Sequence, residues 1–364
     1  AELAKMGEVL TNSQIGGRRN IIINGGMICS QRATSATGLG DGTVGYKVLD
    51  RFRLQKGGSP NARYTMTQDS DTPDGFSNSM KVEVTTATTS FAAADHQYVD
   101  QFIEAQNLQQ LAYGTSSAER ITLSFYVKCS TAQTFGLDLD NEDNDRYFNT
   151  TYTVSSADTW ERKIITFPAD TVSGFNNDNG RGLRVRWTLT AGANYTGGSV
   201  STAWSGTQNY ATNHENTWVA STGETWQLTG VQLEVGSQAT PFEHRSFGEE
   251  LRLCQRYFSQ IENTSGGNRY LGMLQAYNTA GAYGYIADYP TTMRATPSVT
   301  QSGNFGGYAA NSASWQSGAA IANLNPTDIA WTTAGTTGSS NLTAGHAVVI
   351  FHADGAKLMA DSEL

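Results

Sequence analysis

Apolar and polar positions alternate strictly along several stretches of this chain. Ile121, Leu123, Phe125 and Val127 share one side, and Thr122, Ser124, Tyr126 and Lys128 share the other. Leu183, Val185, Trp187 and Leu189 alternate in the same way against Arg184, Arg186 and Thr188, and Met80, Val82 and Val84 give a shorter case. Extended backbone points successive side chains to opposite sides, so this period predicts antiparallel strands with one buried and one polar face. Turn-forming clusters at 70–75 and 176–180 separate the alternating runs. No helical period alternates with these strands, which disfavours a parallel α/β sheet, and no internal repeat suggests a β-helix. The expected fold is all-β: a jelly-roll-like β-sandwich over 19–245, then a short helix and a smaller C-terminal β domain.

The stretch 224–258 carries the transition. Trp226 and Leu228 share a face, and Val231, Leu233 and Val235 continue the alternation displaced by one residue at Gly230, the mark of a β-bulge. Thr240-Pro241 ends the strand, because proline has no N–H to give to a ladder. Ser246 and Glu249 then have capping-box spacing, and Phe247, Leu251, Cys254 and Phe258 fall on one helical stripe, which predicts a linker helix over 246–258. Leu3, Met6 and Leu10 also have helical spacing, in a segment too short to hold a helix alone, so 1–18 is expected to be an anchor or stalk. Residues 259–364 are rich in Gly, Ala, Ser and Thr, with scattered Tyr and Trp. The run 347–351 is wholly apolar and fits a central buried strand.

Composition narrows the function more than the fold. A chain of 364 residues is long enough for two domains with their own cores. The formal charge of −9, with no Lys/Arg-rich run, argues against binding a nucleic-acid backbone. No run approaches the roughly 20 apolar residues of a membrane helix, and no signal peptide opens the chain. The three cysteines, Cys29, Cys129 and Cys254, have no metal spacing and are expected to be buried thiols in a protein assembled in a reducing cytoplasm.

Several segments carry a family resemblance: 17–32 (GRRNIIINGGMICSQR), 48–52 (VLDRF), 73–87, 103–128, 149–170, 175–183, 289–300, the terminal DSEL and above all 228–258. In this order they resemble tail-fibre-like virion proteins of bacteriophages, many of them marine. The resemblance implies a carbohydrate-binding-module-like domain at 19–245, carried on an oligomeric fibre whose tip is 259–364. It also implies a homotrimer located in the virion, held to other virion proteins through its N-terminal segment and presenting β domains to host-surface glycans. A head fibre or capsid decoration protein, and a polysaccharide-degrading tailspike, are the alternatives.

The residue chemistry favours binding over catalysis. The acidic run Asp138, Asp140, Glu142, Asp143, Asp145 lacks the glycine and glutamate of an EF-hand loop, and is expected to be a solvated loop without metal. The five histidines have no paired ligand spacing, and no nucleophile elbow is present. No cofactor and no catalytic residue is expected. Trp204 and Trp218 lie with Tyr195 and Tyr210 in a stretch without alternation, and Tyr308, Trp315 and Trp331 lie in Gly/Ser-rich sequence with Asn304, Asn311 and Asn323 nearby. Exposed aromatic rings can stack on the C–H faces of sugars, so these five residues (Tyr308, Trp315, Trp331, Trp204, Trp218) are the expected ligand-binding set.

Overall fold

The computed structural model describes residues 19–264, 266–279, 281–309, 315–317, 320–322, 327–336 and 342–364; the expected N-terminal anchor, 1–18, lies outside them. The chain divides into two compact units, Ala1–Glu250 and Leu251–Leu364. Among the described residues most regular elements are strands, as the alternation predicts.

The first unit is a β-sandwich. Its strands are β1 (Ser35–Leu39), β2 (Arg53–Gly57), β3 (Arg63–Asp69), β4 (Ser79–Thr86), β5 (His96–Glu104), β6 (Ile121–Cys129), β7 (Gln133–Asn141), β8 (Arg146–Val154), β9 (Glu161–Phe167), β10 (Arg181–Ala191) and β11 (Thr225–Val235). Six form one antiparallel sheet in the order β1-β3-β4-β11-β6-β9, and five form the other in the order β2-β5-β10-β7-β8. The apolar positions of β4, β6, β10 and β11 enter one shared core. Across it the Phe125 ring meets Trp187 edge to face at 5.9 Å, and the Trp226 indole N–H donates to the Tyr152 hydroxyl at 3.0 Å. Aromatic rings bury large areas here while each keeps a defined packing geometry.

The bulge expected in β11 is present. Its register against β6 slips between Thr229 and Gln232, and Gly230 has φ 60°. A Cβ on Gly230 would lie 2.7 Å from the Phe76 ring and 2.9 Å from the Tyr126 ring. Glycine therefore supplies both the left-handed backbone and the room for Phe76 to lie against the strand.

The two ends of this unit are tied together beside β11. Asn20 Nδ2 donates to the Val231 carbonyl at 3.0 Å, and the Ile21 N–H donates to Leu233 O at 2.8 Å. The Arg245 guanidinium donates to the carbonyls of Asn20 and Ile22 and pairs with Glu243 and Glu250. Glu250 in turn accepts the Asn24 N–H at 2.6 Å. Buried carboxylate and guanidinium are thus mutually paired and hydrogen-bonded, the condition under which buried charge is tolerated.

Helix α1 (Phe247–Gln255) starts as its sequence specifies: the Ser246 N–H donates to Glu249 Oε2 at 3.0 Å, and the Glu249 N–H returns to Ser246 Oγ at 3.4 Å. Cys254 on its stripe is buried, whereas Phe247 is exposed. The helix ends at Gln255. Phe258 opens a strand instead of continuing the stripe, because its backbone pairs with Asp361.

The second unit contains β12 (Phe258–Glu262), β13 (Arg269–Ala276), β14 (Gly281–Asp288), β15 (Ser298–Ser302), β16 (Phe305–Ala309), β17 (Trp315–Ser317), β18 (Ala320–Ala322), β19 (Ala330–Thr336), β20 (Ala347–His352) and β21 (Lys357–Asp361). They form a three-stranded sheet, β12-β21-β15, and a seven-stranded sheet, β17-β16-β20-β13-β14-β19-β18. The apolar run at β20 sits between β13 and β16, and Leu274, Val348, Ile350 and Trp331 anchor its core. All three cysteines of the chain are buried free thiols. Burial pushes the Cys129 thiol up to about 12, so it stays protonated and inert.

Candidate binding face

The five-stranded sheet has one face in the core and one outside it, and the outer face is unusually dense in charge. Cross-strand pairing arranges it in rows. Tyr147, Asp140, Arg184 and Phe102 are successive partners across β8, β7, β10 and β5. The next row is Asn149, Asp138, Arg186, Asp100 and Arg53, across all five strands. Directly opposed residues on one face have Cβ atoms about 5 Å apart, so each row is a line of touching side chains.

Arginines cover the aromatic rings of this face. The guanidinium carbons of Arg53 and Arg181 each lie 4.4 Å from the Phe102 ring centre, and that of Arg184 lies 5.5 Å away. Arg186 is held between Tyr98 at 4.8 Å and Tyr210 at 4.2 Å. Planar guanidinium groups can lie over ring faces while their N–H groups, directed outward in the guanidinium plane, stay available to carboxylates. Arg53 uses that fork on Asp100, with Nε to Oδ1 at 2.6 Å and a second bond to Oδ2 at 2.9 Å. Arg184 and Arg186 converge on Asp140, and Arg184 also reaches Glu142 at 2.9 Å.

Asp138 and Asp140 are fully buried, yet their carboxyls are shifted in opposite directions. Burial, reinforced by the neighbouring Asp140 carboxylate, holds the Asp138 carboxyl well above the usual range in spite of Arg186. For Asp140 burial acts upward too, but Arg186 and Arg184 outweigh it and keep the group below its ordinary value. Arg186 Nε lies 3.6 Å from Asp138 Oδ1, and the Asp138 and Asp140 side chains interact directly. A carboxylate beside Asp138 favours its protonated form, as neighbouring like charges do.

The loop over 192–216 crosses the β7–β8 end of this face. The Tyr147 N–H donates to Ser205 O at 2.8 Å, and Thr188 Oγ1 donates to the Tyr210 carbonyl at 3.1 Å. A Cβ on Gly136 would lie 2.8 Å from Ala211 Cα, so a glycine in β7 is what lets the loop approach. Buried His214 pins the loop, its Nδ1 accepting the Gly136 N–H at 3.2 Å. A protonated ring could not accept that bond. Burial lowers the His214 pKa from 6.5 to about 4. The unfolded chain therefore binds the proton first, and stability contributed by neutral His214 is lost as pH falls from about 6.5 towards about 4, by up to roughly 3 kcal/mol. His96 is likewise lowered by burial to about 4 and is present in both proteins, so His214→Asn should flatten, without abolishing, the decline of melting temperature across that window relative to wild type. Parallel slopes for the two proteins would refute this.

The structure redistributes the expected ligand set. Trp218 is fully buried, stacked on Tyr64 at 5.7 Å with its indole N–H on Leu189 O at 2.8 Å. Trp204 is buried against Tyr113 and Phe148, and its N–H donates to Pro168 O at 2.7 Å. Trp331 is buried beside Tyr289 at 4.7 Å. These three are core residues, because each found an aromatic neighbour inside the protein, and two of them a carbonyl acceptor. Of the described side chains in the expected set, Tyr308 alone is exposed, on β16 opposite the Trp315 backbone. The Trp315 side chain, Asn311 and Asn323 lie outside the described residues. Asp138 and Asp140 are also corrected: they belong to strand β7, not to a solvated loop. The alternation of Phe135, Leu137 and Leu139 was the signal for that strand. Among the described residues no group of three or more His, Cys, Asp or Glu could hold a metal ion.

No protein-family model matches this chain, and no curated protein matches it. Among solved structures it is similar to the enzymatically active domain of tailspike protein 4 of bacteriophage CBA120, at 10% identity over 59% of this chain and TM-score 0.32; it spans only 21% of that chain. A family 11 carbohydrate-binding module from Clostridium thermocellum, bound to a mixed-linked tetrasaccharide, matches over 58% of this chain and 99% of its own, at 14% identity and TM-score 0.28. A tandem pair of family 22 modules from Paenibacillus barcinonensis matches over 95% of this chain and 97% of its own, at 9% identity and TM-score 0.29.

Proposed function

We propose that this chain is the glycan-recognising part of a bacteriophage tail fibre, a homotrimer in the virion that binds without catalysing a reaction. The observation that supports binding is the outer face of the five-stranded sheet. There aromatic rings, guanidiniums and carboxylates are fixed on adjacent strands instead of on mobile loops, with Tyr147 and Arg184 half-buried and Arg181 exposed. A saccharide offers both C–H faces and hydroxyls; the half-buried Tyr147 ring can meet the first, and the arginines that cover Phe102 the second, with little ordering cost. The phage assignment and the trimer are supported by the sequence resemblance alone.

A second surface favours the same class of ligand. The outer side of the seven-stranded sheet exposes Tyr270, Tyr277, Tyr283, Tyr285 and Tyr308, with Met273 among them. Tyrosine combines a flat apolar ring with a hydroxyl content in water, which suits wet contact with sugars.

The test is binding of the intact chain to an array of bacterial surface glycans. Tyr147→Ala with Arg181→Ala should weaken retention about tenfold or more at unchanged melting temperature if the sandwich face binds, whereas Tyr283→Ala with Tyr285→Ala should do so if the second surface does. Wild type that binds no glycan, or sheds oligosaccharide products from one, overturns the proposal. A monomeric mass in solution overturns the trimer.

A further inference from the structure

The charges on the outer face of the five-stranded sheet do not balance. Arg53 pairs with Asp100, Arg184 and Arg186 share Asp140, and Glu142 lies beside Arg184. A fourth guanidinium, that of Arg181, lies over Phe102 and has no carboxylate or hydrogen-bond partner among the described residues. Asp138 is held towards its protonated form, burial raises Glu142 as well, and Arg51 and Glu104, both fully enclosed, cancel in the count. Four guanidiniums against three carboxylates leave the face locally positive, in a chain of formal charge −9.

Its unused donors surround one ring. The guanidinium carbons of Arg53, Arg181 and Arg184 all lie within 5.5 Å of the Phe102 ring centre. Arg53 commits Nε and Nη2 to Asp100, and Arg184 commits Nε and Nη2 to Asp140, so Nη1 of each forms no hydrogen bond among the described residues. Neither Nη1 is enclosed: the two side chains keep 10% and 12% exposure, and Arg181 is exposed. Asp178, three positions before Arg181, is turned to the Gly180 N–H at 2.9 Å. The other end of the row has the opposite character. Tyr147 is three strand spacings from Phe102, about 14 Å, and its hydroxyl donates to Asp145 at 3.4 Å.

Resting on the reading that this face binds glycan, we propose that its ligand is an acidic oligosaccharide laid across the strands. A carboxylate on one sugar takes the open N–H edge of Arg181, and a sugar nearer β8 lies on the Tyr147 ring. A planar carboxylate matches a guanidinium edge with two parallel hydrogen bonds, which a hydroxyl cannot do. The Nη1 groups of Arg53 and Arg184 are left for hydroxyls around it. Asp145 fixes the polarity, because negative charge at the Tyr147 end repels the ligand's carboxylate towards Arg181.

Titration calorimetry of the intact chain tests this with short oligomers of galacturonate, mannuronate and alternating glucuronate–N-acetylglucosamine, each beside its carboxyl-reduced counterpart. At least one acidic oligomer should bind about tenfold more tightly than its reduced partner, and the preference should shrink as NaCl rises from about 50 to about 500 mM. Arg181→Gln should cut that preference to about threefold or less at unchanged melting temperature, while Tyr147→Ala should weaken both members of the pair and keep the preference. Equal binding within every pair, or a preference that survives Arg181→Gln, overturns the acidic ligand and leaves glycan binding itself standing. Binding of no oligomer, acidic or reduced, overturns both.

Discussion

Trp218→Ala is expected to lower the unfolding free energy by about 3–5 kcal/mol, the range for deleting a large buried aromatic side chain. Its ring is stacked on Tyr64 and meets Phe135, its indole N–H reaches Leu189 O, and its backbone N–H donates to the Gln133 side chain at 2.7 Å. Truncation removes the stacking, opens a cavity and leaves the Leu189 carbonyl without that donor, and these losses act together. Denaturant unfolding measures the effect. Glycan retention of the folded fraction should be unchanged. A variant that unfolds like wild type but no longer binds sugar would return Trp218 to the ligand set.

Arg186→Met should cost about 3–5 kcal/mol near neutral pH, because it leaves the ionised Asp140 buried with Arg184 as its remaining partner. The substitution keeps much of the packing between Tyr98 and Tyr210 while removing the charge. The pH dependence carries the diagnosis. Asp140 has a depressed value in the folded protein, so its contribution is present above the carboxylate range and lost as pH falls through it. In the variant Asp140 is more readily protonated, so the gap between variant and wild type should narrow towards pH 4. A cost below about 1 kcal/mol, or a gap independent of pH, would show that Arg186 acts by packing alone.

The sandwich was legible in the sequence wherever one side of a strand is wet or polar and the other is in the core. β4, β6 and β10 alternate for that reason, and β11 shows even its bulge, since Trp226 and Val231 must both face inward across Gly230. β5 was not legible. It is buried at nearly every position from Gln97 to Glu104, with core on one side and arginines on the other, so its burial has no period. The binding face was hidden for a related reason. Asp138 and Asp140 belong to an acidic run that reads as solvated, and nothing local announces that Arg184 and Arg186, over forty positions later, pair with Asp140. Loop tryptophans misled in the opposite direction: Trp204 and Trp218 lack alternating neighbours because they pack from irregular segments onto strands.

The tie between Asn20, Arg245 and Glu250 also decides how this unit would bear a mechanical load. The chain enters and leaves the sandwich within hydrogen-bonding distance of itself, since Arg245 donates to the Asn20 carbonyl. Tension applied between the segments before 19 and after 246 therefore runs through that short bridge and the adjoining Asn20–Val231 and Ile21–Leu233 bonds. The other ten strands hang to one side of the force line as a pendant, and they stay folded until the bridge parts.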